Sequence, residues 1–410
     1  MNDIELLAPV GSFESLAAAI QGGADAVYFG VGKLNMRSRS SVNFSLDDLG
    51  EIASVCRKNN IKSYLTVNTI VFDDEIGEIA KILEAVKDNN LDGIIASDFS
   101  VIKRAFKLGI PVHISTQCNV TNSEAVEFFS KYADVIVTAR ELHLTMVSEI
   151  VRQIKERQIK GPSGELVKIE VFAHGALCMA VSGKCYLSLH ENNHSANRGE
   201  CYQLCRRGYI VKDKDSDTEL EIENEYIMSP KDLCTIGFLD KIIESGVKVL
   251  KIEGRGRSAD YVKTVTKCYR EAIDSYFDGS YSKDRIEIWM SKLRTVYNRG
   301  FWDGYYLGQT LGEWNNVYGS QAVKEKVYVG KIVNYYSKIK VADIKIETTE
   351  LNSGDEINII GQTTGVYEDI ITGIRIDDQE VSRAGKGFIC SVPVKSAVHR
   401  GDKLYILKNK

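Results

Sequence analysis

The chain has 410 residues, 44% of them hydrophobic and 26% charged, with a formal net charge of −4. That balance buries a large core and excludes global disorder. It also excludes a surface basic enough overall to advertise nucleic-acid binding, although a local basic patch is averaged out in such a sum.

Residues 1–10 (MNDIELLAPV) lack the basic and long apolar regions of a secretory leader. No run approaches the ~18 apolar residues of a membrane span. These features predict a cytoplasmic protein with no membrane partner. In that compartment thiols stay reduced, so the nine cysteines point to metal or redox chemistry rather than disulfides.

Short apolar, β-rich runs open the chain at Leu6–Ala8, Ala26–Phe29, Tyr64–Val67 and Gly93–Ala96. They continue at Val112–Ser115, Val135–Thr138, Ile169–Ala173 and Val249–Ile252. Helical apolar spacing falls between them, as in Phe13–Gln21, Leu46–Lys58, Glu75–Lys87 and Glu141–Lys155. Eight strand–helix repeats predict an α/β fold, a (β/α)8 TIM-like barrel over residues 1–322, with a doubly wound open sheet as the competing arrangement.

The connection between the seventh and eighth strands, residues 175–240, is far too long for an ordinary loop and reads as an insertion over the barrel mouth. It carries Cys178, Cys185, Cys201, Cys205 and Cys234. Four thiolates satisfy an iron–sulfur cluster or a zinc ion. The wide intervals, without a paired CxxC knuckle, favour the larger object; buried apolar cysteines are the third reading. His190-Glu191-Asn192-Asn193-His194 matches H-E-x-x-H, the zinc-protease pattern. That pattern works only on a helix, and the following Ser195-Ala196-Asn197-Arg198-Gly199 is rich in poor helix formers.

Barrel chemistry gathers at the C-terminal ends of the strands. Asn68, Gln117, Arg140, Glu141, His174, Glu253 and Arg255 fall there, and Arg37, Arg39 and Arg257 lie near the same mouth. Beyond residue 322 the texture changes to short β-rich runs: Tyr328–Val333, Lys340–Ile346, Glu356–Ile360, Ile370–Ile376, Gly387–Val392 and Lys403–Leu407. Residues 323–410 thus read as a small all-β domain, a closed or nearly closed barrel. Lys324, Lys326, Lys331, Lys338 and Lys340 beside Tyr335 and Tyr336 form a modest basic run suited either to RNA or to a solvated strand face.

The stretch Glu170-Val171-Phe172-Ala173-His174-Gly175-Ala176-Leu177-Cys178, followed by Gly183-Lys184-Cys185-Tyr186-Leu187-Ser188, resembles the signature of the collagenase-like peptidase U32 family. Leu7-Ala8-Pro9-Val10-Gly11, Asn197-Arg198-Gly199, Ser229-Pro230-Lys231-Asp232-Leu233 and Lys251-Ile252-Glu253-Gly254-Arg255 agree with it. Length and the terminal β-domain are similar to the family's tRNA-hydroxylation subgroup.

That resemblance implies an oxygen-sensitive 4Fe-4S cluster on Cys178, Cys185, Cys201 and Cys234, with Cys205 as the alternative fourth ligand. It implies hydroxylation of an RNA base without molecular oxygen, with prephenate as co-substrate. The expected product is 5-hydroxyuridine at the tRNA wobble position, and the expected partners are tRNA and a second copy or a paralogue. The mouth arginines suit a dicarboxylate such as prephenate. His174 and Glu253 are the acid–base candidates, or supports for the cluster. The competing reading, from the family's filing name, is a collagenase-like peptidase, and zinc is the alternative metal.

Overall fold

The computed structural model describes residues 3–39, 43–210, 228–309 and 312–410. The part of the predicted insertion at 211–227 lies outside them.

Eight parallel strands close into a barrel: β1 (Glu5–Pro9), β2 (Ala26–Gly30), β3 (Lys62–Val67), β4 (Gly93–Ala96), β5 (Val112–Ile114), β6 (Val135–Val137), β7 (Lys168–Gly175) and β9 (Val249–Ile252). Each pairs with the next, β7 pairs with β9, and β9 returns to β1. This closure decides against the open sheet. Two further short strands, β8 (Asp232–Cys234) and β10 (Phe301–Trp302), sit beside the mouth, β8 antiparallel to β7. Sequence periodicity missed both, because two or three residues carry no period.

The helices between strands bury one apolar stripe each against the barrel wall. In α1 (Phe13–Gln21) the buried residues are Ser15, Leu16, Ala18 and Ala19, and Ser12 caps its first turn by accepting from Ser15 N–H. The long α9 (Ala259–Phe277) follows the last barrel strand. No helix among the described residues is long and apolar enough to cross a membrane.

Strand alternation sorts two interiors. Outward residues such as Leu6, Ala8, Val27 and Phe29 join the helices in the main core. Inward residues Leu7, Ala26, Tyr28, Tyr64, Ile95, Val135 and Val249 form a small separate core. That inner core is shared with buried polar groups: His113, Glu170, Lys251 and Arg255. Charge inside a barrel persists only when paired or hydrogen-bonded: Glu170 pairs with Lys251 and His113, and Arg255 donates to Asn35 and Thr66.

From Lys324 onward the chain forms an eight-stranded antiparallel sheet around its own apolar core, with a separate two-stranded ladder. Its end strands, Gly365–Ile370 and Gln379–Val381, do not pair with each other among the described residues, so the ladder is open there rather than closed. The predicted Ile370–Ile376 strand is in fact two strand ends, Gly365–Ile370 and Ile374–Ile376, separated at Gly373.

This sheet docks on the barrel. Gln21 on α1 donates to the Thr364 carbonyl (2.8 Å) and accepts from Val366 N–H (3.0 Å), while Lys263 on α9 donates to the Val366 carbonyl (2.8 Å).

Candidate functional site

One cavity, of about 160 Å³, fills the barrel mouth under the insertion. Its floor is made by inward residues of the strands. The period of two turns Lys251 on β9 and Glu253, just past its end, inward, and on β7 it turns Glu170 and Phe172 inward. A register shift between Phe172 and His174 then breaks the alternation on β7. Its roof is residues 176–206, where Gly183 and Gly199 take the left-handed backbone at φ +80°. A Cβ on Gly199 would stand 2.2 Å from the Asn35 carbonyl, so this glycine lets the roof approach the loop after β2.

Four thiols line this one cavity: Cys178, Cys185, Cys201 and Cys205. They are close enough to influence each other's ionisation. Burial raises the Cys185 thiol, and Cys178 and Cys201 add to the rise. Burial pushes Cys205 up to about 11, with Arg206 opposing it and the other three thiols reinforcing it.

Cys234 is elsewhere. It sits on β8 opposite His174, 5% exposed, with Sγ 3.7 Å from Met290 Sδ and 3.9 Å from the Tyr269 hydroxyl. The structure therefore separates Cys234 from the other three expected ligands and puts Cys205 in their company. Spacing along the chain could not make this distinction, because Cys234 belongs to a strand whose side chain turns away from the mouth.

The cavity is cationic. Arg37, Arg140, Arg206, Lys251 and Arg255 line it against a single lining carboxylate, Glu253. Arg37 grips Glu253 Oε1 from Nη2 (2.8 Å) and Nε (3.2 Å), and the Tyr28 hydroxyl lies 3.3 Å from Oε2. Burial alone would raise Glu253, but Arg37, Arg140 and Arg255 outweigh it and hold the carboxyl at about 2. Lys251 Nζ is 2.7 Å from Glu170 Oε1, whose other oxygen is 3.1 Å from His113 Nδ1.

The remaining arginines are held by neutral groups. Arg255, 4% exposed, donates to Asn35 Oδ1 (3.0 Å) and Thr66 Oγ1 (2.9 Å), and burial lowers it to about 10. Arg140 donates to the Ala176 carbonyl (3.0 Å) and lies 3.8 Å over the Phe172 ring. Arg206 donates to the carbonyls of Leu177 and Pro230 and to Ser229 Oγ. Such a set suits anions, because guanidinium forks keep donors to spare.

The other predicted residues divide. Asn68 lines the cavity, accepting from Met36 N–H (3.1 Å), and Gln117 lines it beside Ser115. Arg257 faces a smaller adjoining pocket and stacks on Tyr297. Glu141 sits on a side groove, and Arg39 is exposed with its guanidinium 3.8 Å over Tyr202. His174 does not line the cavity. It is 2% exposed, packed on Tyr269, Tyr261 and Phe301, and burial, aided by Arg257, drives it down to about 3. Its imidazole is sealed among these rings, away from the cavity.

Sequence reasoning missed Lys251, Tyr28 and Arg206 as site residues. Lys251 was legible, since it alternates with Glu253 on one strand. In the terminal sheet, Lys324, Lys326 and Lys331 pair with Glu356, Asp260 and Glu347, which favours the solvated-face reading of that run.

The H-E-x-x-H match does not form a zinc site. The helix Leu187–Asn192 ends at Asn193, which is left-handed (φ 56°), so His190 and His194 do not share a helical face. His194 instead bonds Glu200 (2.9 Å).

A model of "Peptidase family U32" matches residues 11–316. The chain is 55% identical over 405 residues to a collagenase of Porphyromonas gingivalis, covering 99% of this chain and 98% of that one. It is 34% identical to tRNA hydroxylation protein P1 of Bacillus subtilis, covering 87% of this chain and 83% of that one. It is 31% identical to the 23S rRNA 5-hydroxycytidine C2501 synthase of Escherichia coli, covering 87% of this chain and 52% of that one. The chain belongs to peptidase family U32.

Proposed function

We propose that the chain is an RNA-modifying enzyme that hydroxylates a pyrimidine base without molecular oxygen, using a 4Fe-4S cluster on Cys178, Cys185, Cys201 and Cys205. The observation that carries this reading is the gathering of four thiols of one insertion around one cationic cavity. Thiolates are the donors such a cluster takes. When bound, the cluster would supply electron-transfer chemistry at the cavity wall.

The chain's own residues do the rest. Arg140, Arg206 and Arg255 offset negative charge at the thiolates and on an anionic co-substrate, for which prephenate, a dicarboxylate, is our candidate. Glu253, held at about 2, is ionised at neutral pH. It acts as an acceptor that fixes Arg37, not as a general acid. Lys251 presents an ammonium to the cavity floor, anchored by Glu170. The names of the Bacillus and Escherichia relatives support an RNA target, and we assign tRNA uridine, giving 5-hydroxyuridine at the wobble position, ahead of rRNA cytidine.

The second reading is a peptidase, favoured by the name of the 55% identical relative. The geometry gives it little. The H-E-x-x-H histidines diverge. The Cys234–His174 neighbourhood is sealed, with the thiol pushed up to about 12 and the imidazole down to about 3, the reverse of an activated pair. Mass spectrometry of tRNA nucleosides from cells lacking the gene tests the proposal. Loss of 5-hydroxyuridine, restored by the wild-type chain and not by Cys205→Ser, is the expected result. Unchanged nucleosides together with gelatin cleavage by the purified chain would replace it with the peptidase reading.

A further inference from the structure

Beside the main cavity lies a second pocket of about 190 Å³. The two share Arg140, the segment Leu177–Ala180 and Ser182, so a single ply of chain carrying Cys178, one of the four thiols, separates them. Their walls differ in kind. The main cavity is lined by cations, whereas the second is walled by Trp302, Tyr305 and Trp314, with Met179 at the rim.

The aromatic rings converge. A Cβ built on Gly312 would lie within 3.5–3.7 Å of both the Trp314 and Trp302 indoles, and Trp302 meets Tyr305 edge-on at 5.1 Å. Trp302 is 3% exposed, and among the described residues neither its indole Nε1–H nor Arg140 Nε has an acceptor. Both donors are sealed from the open space, so the rings that face it are those of the half-buried Trp314 and Tyr305. Glu141 adds a carboxylate acceptor from the same wall.

We infer that this pocket receives a single pyrimidine base of an unpaired RNA strand. The base would stack on the half-buried Trp314 and Tyr305 rings and offer a ring or exocyclic N–H toward Glu141. Stacking on aromatic side chains is how unpaired bases are held, and a pocket of this size takes one ring. An extended proline-rich strand also favours aromatic walls, but it needs a long groove with successive slots. The two pockets then divide the substrates, with the anion on the arginine side, the base on the indole side and Cys178 between them. This inference rests on the RNA reading above.

The test is fluorescence-anisotropy titration of the full chain with two labelled single-stranded RNA oligonucleotides, one carrying a central uridine and one abasic at that position. A proline-rich collagen-like peptide serves as competitor. Trp314→Ala, checked for native circular dichroism, should weaken the uridine oligonucleotide by about tenfold, the scale of one lost base–aromatic stack, and leave the abasic one unchanged.

Equal effects of Trp314→Ala on both oligonucleotides, or none on either, would overturn the pocket assignment while leaving the RNA reading intact. Displacement by the peptide with a Trp314-dependent affinity would assign the pocket to protein. Absence of RNA binding in the wild-type chain would overturn the parent reading and this inference with it.

Discussion

Lys251 on β9 and Glu170 on the adjacent, paired β7 meet on the inner face of the barrel wall, Nζ to Oε1 at 2.7 Å, with side-chain exposures of 6% and 0%. His113 on β5 completes the buried set from the other carboxylate oxygen. Burial would raise the Glu170 carboxyl, but the Lys251 charge and the His113 bond outweigh it and hold it at about 2, against an ordinary 4.5. The depressed value means this stabilisation is complete above about 4.5 and is lost as pH falls toward about 2. Urea unfolding across that window should show an acid limb that Glu170→Gln flattens. Lys251→Met, which strands the carboxylate, should cost about 3–5 kcal/mol near pH 7.

Gly199 offers a way to disturb the roof without touching a thiol. Its φ of +80° and the 2.2 Å approach to the Asn35 carbonyl leave no room for a methyl group. Gly199→Ala should cost at least about 1–2 kcal/mol from the backbone alone and should lower co-purified iron. Iron content equal to wild type would show that the roof is not what positions the thiols.

Arg255 is buried against Asn35 and Thr66, so its planar fork is fixed rather than adaptable. Arg255→Lys keeps the charge and loses the fork. We expect KM for the carboxylate co-substrate to rise about tenfold with kcat changed less, read from initial rates at saturating RNA. A fall in kcat with KM unmoved would place Arg255 outside co-substrate binding.

The histidines of the H-E-x-x-H stretch should be dispensable. His190 is exposed, and His194 makes a partly exposed contact with Glu200. His190→Ala and His194→Ala should each shift stability by less than about 1 kcal/mol and leave hydroxylation intact. Loss of a gelatin-cleaving activity in both variants would return the metalloprotease reading.

The barrel was legible because parallel strands buried on both faces read as continuous apolar runs such as Val135–Val137 and Gly93–Ala96. β8 and β10 were not, since their pairing is decided by tertiary contact beside the mouth. The thiol cluster was legible as a density of cysteines. Its membership was not: whether Cys205 or Cys234 faces the cavity depends on a three-residue strand paired to β7. His174 failed as a cavity residue for a related reason, because the register shift after Phe172 breaks the alternation that the sequence suggested. The aromatic pocket lay hidden because Trp302 and Trp314 are brought together from a short strand and a loop that share no sequence period.

The measurement that bears most directly on the account is iron and acid-labile sulfide in Cys205→Ser and Cys234→Ser, each purified without air beside the wild-type chain. The expected result is a sulfide-containing brown wild type, a Cys205→Ser protein that has lost most of both elements, and a Cys234→Ser protein that retains them. Full iron and sulfide in Cys205→Ser with loss in Cys234→Ser, or zinc without sulfide in the wild type, would contradict it.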